Sequence, residues 1–223
     1  AVAEERDGLP NMLPAAERLV EAFEAIGVSD GARVVLYGNP LHAARAFVAL
    51  DYLGHGDRAA LLDGGLAAWE AGGRELSTQA PEARPGTLTP RIREAMVVDA
   101  EWVDVHRGEP GYTLVDARPA AQYRGEVADD PVARPGHIPG AVSAYWEEAL
   151  STDEPRLLRD PEALRAWLAE AGVEPGDTVV SYCRTGVQAS HLYFVARYLG
   201  YETRIYDGSF TDWSAREALP VTR

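Results

Sequence analysis

The stretch from Leu19 to Trp69 returns as Leu164 to Trp213, matched in order and residue type. Ile26-Gly27-Val28-Ser29-Asp30-Gly31 parallels Ala171-Gly172-Val173-Glu174-Pro175-Gly176, and Val34-Val35-Leu36-Tyr37 parallels Val179-Val180-Ser181-Tyr182 at an offset of 145. Leu53-Gly54 parallels Leu199-Gly200, and Leu62-Asp63-Gly64 parallels Tyr206-Asp207-Gly208. Two copies of one unit must therefore share a fold. In both, a segment with apolar residues at helical spacing leads through a glycine turn into a short apolar run, a loop and a second helical segment. Alternating strand and helix predicts an α/β fold: an open, mainly parallel sheet flanked by helices, with ligands at the carboxyl ends of the strands.

Periodicity predicts helices over 15–26, 41–53, 160–171 and 187–199, with Asp160-Pro161 as a helix start. Short apolar runs bounded by turns at 33–37, 97–99, 113–116, 178–182 and 203–206 fit buried strands. The Pro/Gly-rich stretch Ala80–Thr87 separates the copies. The expected organisation is a partial first domain over 1–79, a linker over 80–95 and a complete second domain over 96–223. By the offset, residue 1 is level with residue 146, whereas the second copy begins near 96, so about 50 residues have no counterpart at the front of the first. The chain is accordingly expected to be a fragment, a clipped form or the product of a truncated gene. A half-copy leaves strand edge and core to be covered by the second domain, another chain or further residues.

The copies differ where strand meets helix. In the second, Val179-Val180-Ser181-Tyr182 runs into Cys183-Arg184-Thr185-Gly186-Val187-Gln188 before the next helix. Backbone N–H groups at such a helix start converge on whatever the first loop residue carries. The helix dipole and Arg184 both favour the thiolate, so Cys183, the sole cysteine, is expected to be a nucleophile at neutral pH. The first copy has Gly38 at this position, followed by Asn39-Pro40-Leu41, and is expected to be catalytically silent.

At these residues the chain resembles the rhodanese family, and specifically its tandem-domain sulfurtransferases. Arg134-Pro135-Gly136-His137-Ile138-Pro139-Gly140-Ala141-Val142 is similar to the family's G-H-I-P-G-A signature. Asp116-Ala117-Arg118 resembles its D-x-R, Gln122-Tyr123-Arg124-Gly125-Glu126 its Y-R-G segment, and Tyr206-Asp207-Gly208-Ser209-Phe210-Thr211-Asp212-Trp213 its closing D-G-S motif. The resemblance implies two rhodanese-like domains, the first a non-catalytic partner. It also implies a sulfane sulfur carried as a Cys183 persulfide, with the terminal sulfur among the N–H groups of Arg184, Thr185, Gly186, Val187 and Gln188. A cysteine-dependent phosphatase would need an arginine six residues after the cysteine to clamp phosphate oxygens, and Ala189 stands there.

Around this loop, Asp116 and Arg118 are expected to form a charge-assisted pair, and His137 to position its loop by hydrogen bonds. Arg118, Arg124 and Arg134 are candidates for binding an anionic donor, a task suited to a planar fork of donors. Mercaptopyruvate enzymes place an arginine four residues after D-x-R, where this chain has Gln122. Asn11-Met12-Leu13-Pro14 resembles their H-M-L-P segment, whose histidine works with a loop serine. Here the pair is Asn11 and Thr185, and asparagine cannot exchange a proton near neutrality. Arg184 resembles the C-R-K-G loop of thiosulfate enzymes, although Thr185 replaces the lysine. Thiosulfate is thus the favoured donor, with 3-mercaptopyruvate the alternative. Cyanide or a thiol, such as that of a thioredoxin-like protein, would be the acceptor. A persulfide carrier without turnover is the competing class. No metal or organic cofactor is implied.

Composition adds bounds. With 46% hydrophobic and 25% charged residues the chain reads as soluble and globular. A net charge of −14 argues against nucleic acid and anionic membranes as partners. A single cysteine excludes intrachain disulfides and suits a reducing cytoplasm, the expected location. All 21 basic residues are arginine, which reads as a compositional bias.

Overall fold

The structure is a computed structural model that describes residues 1–79, 82, 84–127 and 129–223. Ala80, Pro81 and Ala83 of the expected linker, and Ala128, lie outside the described residues. The chain opens with an antiparallel hairpin, β1 (Glu4–Arg6) and β2 (Leu9–Met12), which the sequence reading missed. Its turn is Asp7-Gly8, with φ of 53° and 77° at the two residues. Asp-Gly supplies two left-handed positions in succession, the backbone twist that a two-residue hairpin requires.

The rest of the first copy comprises α1 (Ala16–Ala25), β3 (Val34–Leu36), α2 (Pro40–Tyr52), β4 (Ala59–Leu61) and α3 (Gly65–Ala71). Asn39 caps α2 by accepting from the Leu41 and His42 amides at 3.0 and 3.3 Å, and Pro40 occupies the first turn, where its missing N–H costs nothing. β3 pairs in parallel with β4 on one side, and among the described residues it has no strand on the other. Val35 and Tyr37 are exposed along it. Residues 86–93 lie down on this copy instead of running free: Gly86 N donates to Glu24 O at 2.7 Å, and Arg91 and Arg93 donate to the carbonyls of Leu53 and Tyr52 at 2.8 and 2.9 Å.

The second copy holds β5 (Val97–Val98), α4 (Ala100–His106), β6 (Tyr112–Asp116), α5 (Ala120–Tyr123), β7 (Val142–Ser143), α6 (Pro161–Ala171), β8 (Thr178–Tyr182), α7 (Val187–Tyr198), β9 (Glu202–Tyr206) and α8 (Ser209–Ala215). Its five strands are all parallel, in the order β5-β9-β8-β6-β7. Asp160 caps α6 from the Ala163 amide at 2.9 Å with Pro161 behind it, as the sequence predicts. The central strand β8 is buried over Val179–Tyr182, which matches its near-continuous apolar run.

The two copies share a core. Ala44, Phe47 and Val48 of α2 pack with Ala189, Leu192, Tyr193 and Phe194 of α7, and the Phe47 and Phe194 rings meet edge-on at 5.0 Å. The second copy thus covers the apolar face of α2. No helix among the described residues is long and apolar enough to cross a membrane.

Candidate active site

β8 delivers Cys183 to the carboxyl end of the sheet, and α7 begins four residues later. The intervening carbonyls are tied back onto the scaffold. Cys183 O accepts from Phe210 N at 2.9 Å, and Arg184 O accepts from Thr211 N at 3.1 Å and from Thr211 Oγ1 at 2.8 Å. Gly186 O accepts from Ser190 N at 3.1 Å and from its Oγ at 2.8 Å. Among the described residues, the amides of 184 to 188 donate to no protein acceptor. Anchored carbonyls and unspent amides make a preorganised anion cradle, since a helix start cannot satisfy its own first N–H groups.

Gly186 turns this loop at φ 85°, a left-handed conformation that glycine adopts without penalty. A Cβ here would also sit 3.1 Å from Asp207 O, so the turn is tight as well as left-handed. Ser209, itself at φ 54°, accepts from Cys183 N at 3.3 Å and donates to Tyr206 O at 2.9 Å. The D-G-S segment is therefore the support of the cysteine loop. Cys183 itself is 1% exposed, at the inner end of the loop, whereas Arg184, Thr185, Val187 and Gln188 are partly open to solvent.

The expected Asp116–Arg118 pair forms in full. Arg118 Nε lies 2.9 and 3.1 Å from the two carboxylate oxygens, Nη2 lies 2.6 Å from Oδ2, and Arg118 N donates to Oδ1 at 3.0 Å. Nη2 also donates to Gly136 O at 2.8 Å, and the guanidinium sits over the Phe210 ring at 4.1 Å. Burial alone would lower the Arg118 pKa; the adjoining Asp116 carboxylate outweighs it and holds the group above its ordinary value, with smaller support from Tyr182 and Cys183. His137 has the structural part expected of it, with Nδ1 2.9 Å from Tyr123 O and its ring stacked on Tyr123 at 3.8 Å.

Two expected donor-binding arginines are engaged elsewhere. Arg134 gives its guanidinium to four carbonyls of the closing segment, those of Trp213, Ser214, Arg216 and Leu219, at 2.8–3.2 Å. In this position it braces the chain behind α8. Arg124 is 55% exposed and closes on Glu126 at 2.6 and 3.0 Å. Arg184 lies at the rim, 41% exposed, with Nη1 3.4 Å from Asp130 O and 3.8 Å from Asp129 Oδ2.

The first copy reaches the loop directly. Asn11 Nδ2 donates to Thr185 Oγ1 at 3.2 Å, joining the two residues that the H-M-L-P resemblance pairs. Arg45 and Asp207, which sequence reasoning missed as site residues, form a buried ion pair at 2.7 Å beside Gly186. A signal for Arg45 was present: a charge set among Ala43, Ala44, Phe47 and Val48 on the apolar face of a helix. The corresponding loop at Gly38 borders a cavity of about 250 Å³ lined by Tyr37, Gly64, Trp146 and His191 among others.

A rhodanese-like domain model matches residues 99–216. A "Probable 3-mercaptopyruvate sulfurtransferase" of Pseudomonas aeruginosa is 38% identical over 213 residues, covering 94% of this chain and 74% of the relative. The sulfur carrier protein TtuD of Thermus thermophilus is 34% identical, covering 93% and 76%. A "Putative thiosulfate sulfurtransferase 1" of Mycobacterium bovis is 31% identical, covering 92% and 76%. Among solved structures, the anaerobic ergothioneine biosynthesis enzyme of Chlorobium limicola superposes with a TM-score of 0.83 at 24% identity. That match covers 95% of this chain, which spans only 56% of the solved one, and it speaks to the fold alone. The chain belongs to the rhodanese family, among the tandem-domain sulfurtransferases whose members include both 3-mercaptopyruvate and thiosulfate enzymes.

Proposed function

We propose that Cys183 carries the sulfur in a double displacement, with residues 96–223 as the catalytic domain, 1–79 as its silent partner and 80–95 as the connection. The Cys183 thiolate attacks the outer sulfur of thiosulfate; a new S–S bond forms, the S–S bond of the donor breaks, and sulfite leaves with the electron pair. The resulting persulfide anion is then attacked at its terminal sulfur by cyanide or a thiolate, which regenerates the Cys183 thiolate and releases thiocyanate or a new persulfide. The observation that carries this reading is the set of unspent amides from Arg184 to Gln188 directly after the cysteine. We read the acceptor they suit as an anionic atom one bond beyond Cys183 Sγ.

Thiosulfate as donor rests on Arg184 at the rim and on Asn11 where a proton-transferring histidine would serve mercaptopyruvate. Sulfite needs no proton to leave, and Asn11 can supply none. The 38% identical relative favours 3-mercaptopyruvate as the second reading. Incubation with each donor, followed by intact mass for one added sulfur on Cys183 and by thiocyanate release on adding cyanide, tests both. Sulfur uptake without turnover would point instead to a carrier.

A further inference from the structure

We propose that Arg45 of the silent copy is a positioning residue for sulfur transfer, acting through Asn11 on the hydroxyl of Thr185. The proposal rests on the reading of Cys183 as the sulfur carrier. Arg45 is 2% exposed, on the α2 face that packs against α7. A guanidinium in such a contact is costly unless its charge and donors are met. Arg45 has its charge met by Asp207 and its Nη atoms engaged, while its Nε has no hydrogen-bond partner among the described residues. It pairs with Asp207 Oδ1 at 2.7 Å, donates to the Asn11 carbonyl and lies 3.5 Å from Ser190 Oγ in the first turn of α7.

Asp207 extends the bridge. Its Oδ2 accepts from Leu13 N at 2.6 Å, so one ion pair holds both ends of the Asn11–Leu13 segment. Its carbonyl and Oδ1 would lie 3.1 and 3.3 Å from a Cβ on Gly186, and Arg45 Nη1 would lie 3.6 Å from it. The pair is thus the floor of the turn that aims the loop amides. Asn11 is held here at φ 62°, and from that conformation its Nδ2 reaches Thr185 Oγ1.

That bond fixes the polarity of the hydroxyl. Thr185 Oγ1 accepts from an amide that can only donate, which leaves the hydroxyl hydrogen to be given to an anion in the cradle. A histidine at position 11 could move a proton through the hydroxyl; Asn11 holds it as a fixed donor. Arg45 does not itself touch the reacting atoms, because its guanidinium is buried and bound to Asp207. Its influence on sulfur transfer runs through Asn11 and Thr185.

A double-mutant cycle on the full chain separates this role from simple bracing. Arg45→Lys, Thr185→Val and the double variant are compared in kcat/KM for cyanolysis with thiosulfate, in single-turnover sulfur loading and in Tm. Lysine can still pair with Asp207, but one ammonium cannot also hold the Asn11 carbonyl as the fork does. Arg45→Lys is expected to lower kcat/KM about 3- to 10-fold, the worth of one misplaced hydrogen bond, and to cost less than about 2-fold in the Thr185→Val background. Equal fold losses in both backgrounds, or no loss in either, would overturn the proposal. If Arg45→Lys does not fold, Asn11→Gly retains the left-handed backbone, removes the Nδ2 donor and must show the same dependence on Thr185; independence would overturn the proposal too. Failure of the unmodified chain to take sulfur at Cys183 would remove the underlying reading and this proposal with it. Normal loading with an additive cycle would remove the proposal alone.

Discussion

Arg118 folds back onto Asp116, two residues before it, and each buries its charge against the other with contacts of 2.6–3.1 Å. The same guanidinium holds the Gly136 carbonyl and covers the Phe210 ring. One ion pair therefore links the end of β6, the G-H-I-P-G segment and the start of α8, the elements that surround the Cys183 loop.

Removing one partner of such a pair leaves the other buried and uncompensated. Arg118→Met is expected to lower stability by about 3–5 kcal/mol, read from the midpoint of urea unfolding at unchanged m. Arg118→Met with Asp116→Asn leaves no charge to bury and should recover part of that loss. An Arg118→Met protein as stable as the parent would show that the pair does not hold these elements together.

Cys183→Ser should abolish sulfur transfer and leave unfolding unchanged within about 1 kcal/mol, because serine nearly matches cysteine in shape but offers no anion near neutral pH. Thiocyanate production and sulfur uptake by intact mass are the readouts. More than a small residual rate would place the nucleophile elsewhere, although Cys183 is the chain's only thiol.

The parts of this site legible in the sequence are those encoded locally. Asp116 and Arg118 are two residues apart at a strand end, Asp160-Pro161 begins a helix, and the Cys183 loop lies between an apolar run and a helical one. Arg45 escaped because its partners, Asn11 and Asp207, are brought to it by the tertiary fold from 34 and 162 residues away. Arg134 looked like a donor-binding group for the converse reason. Nothing near it in sequence shows that the carbonyls of 213–219 come to meet its guanidinium. The hairpin of β1 and β2 escaped because its strands are only three and four residues long, the first fully charged and the second interrupted by Pro10, though Asp7-Gly8 marked its turn.

His191, on the buried face of α7, is kept neutral by burial, which lowers its pKa from the ordinary 6.5 to about 4. Its Nδ1 has no partner among the described residues. Between these values the unfolded chain binds a proton that the folded chain refuses, so stability rises with pH across the window and falls as pH drops from 6.5 towards 4. The loss attributable to this one group should approach about 3 kcal/mol at the acid end. His191→Phe, which keeps a ring against Trp146, should flatten this part of the curve when Tm is followed from pH 7 to pH 4. Parallel curves for the two proteins would mean that His191 is protonated in the folded state.

Substitution of Arg184 tests the donor question. Its guanidinium is held only at the rim, 3.4 Å from the Asp130 carbonyl and 3.8 Å from Asp129, whose carboxylate also receives Gln122 Nε2 at 2.5 Å. It is therefore free to turn towards an incoming dianion. A charge-assisted hydrogen bond is worth about 1.5–3 kcal/mol, so Arg184→Gly should reduce kcat/KM for thiosulfate roughly 10- to 150-fold, with half-exposure pulling the figure towards the lower end. The same change makes the loop Cys-Gly-Thr-Gly, and mercaptopyruvate, with a single carboxylate to neutralise, should lose less. Measured on both proteins with both donors, the ratio of the two losses is the informative quantity, since a general disturbance of the loop cancels in it. Equal losses would mean that Arg184 acts on the cysteine loop and not on the donor, and a greater loss with mercaptopyruvate would reverse the donor assignment.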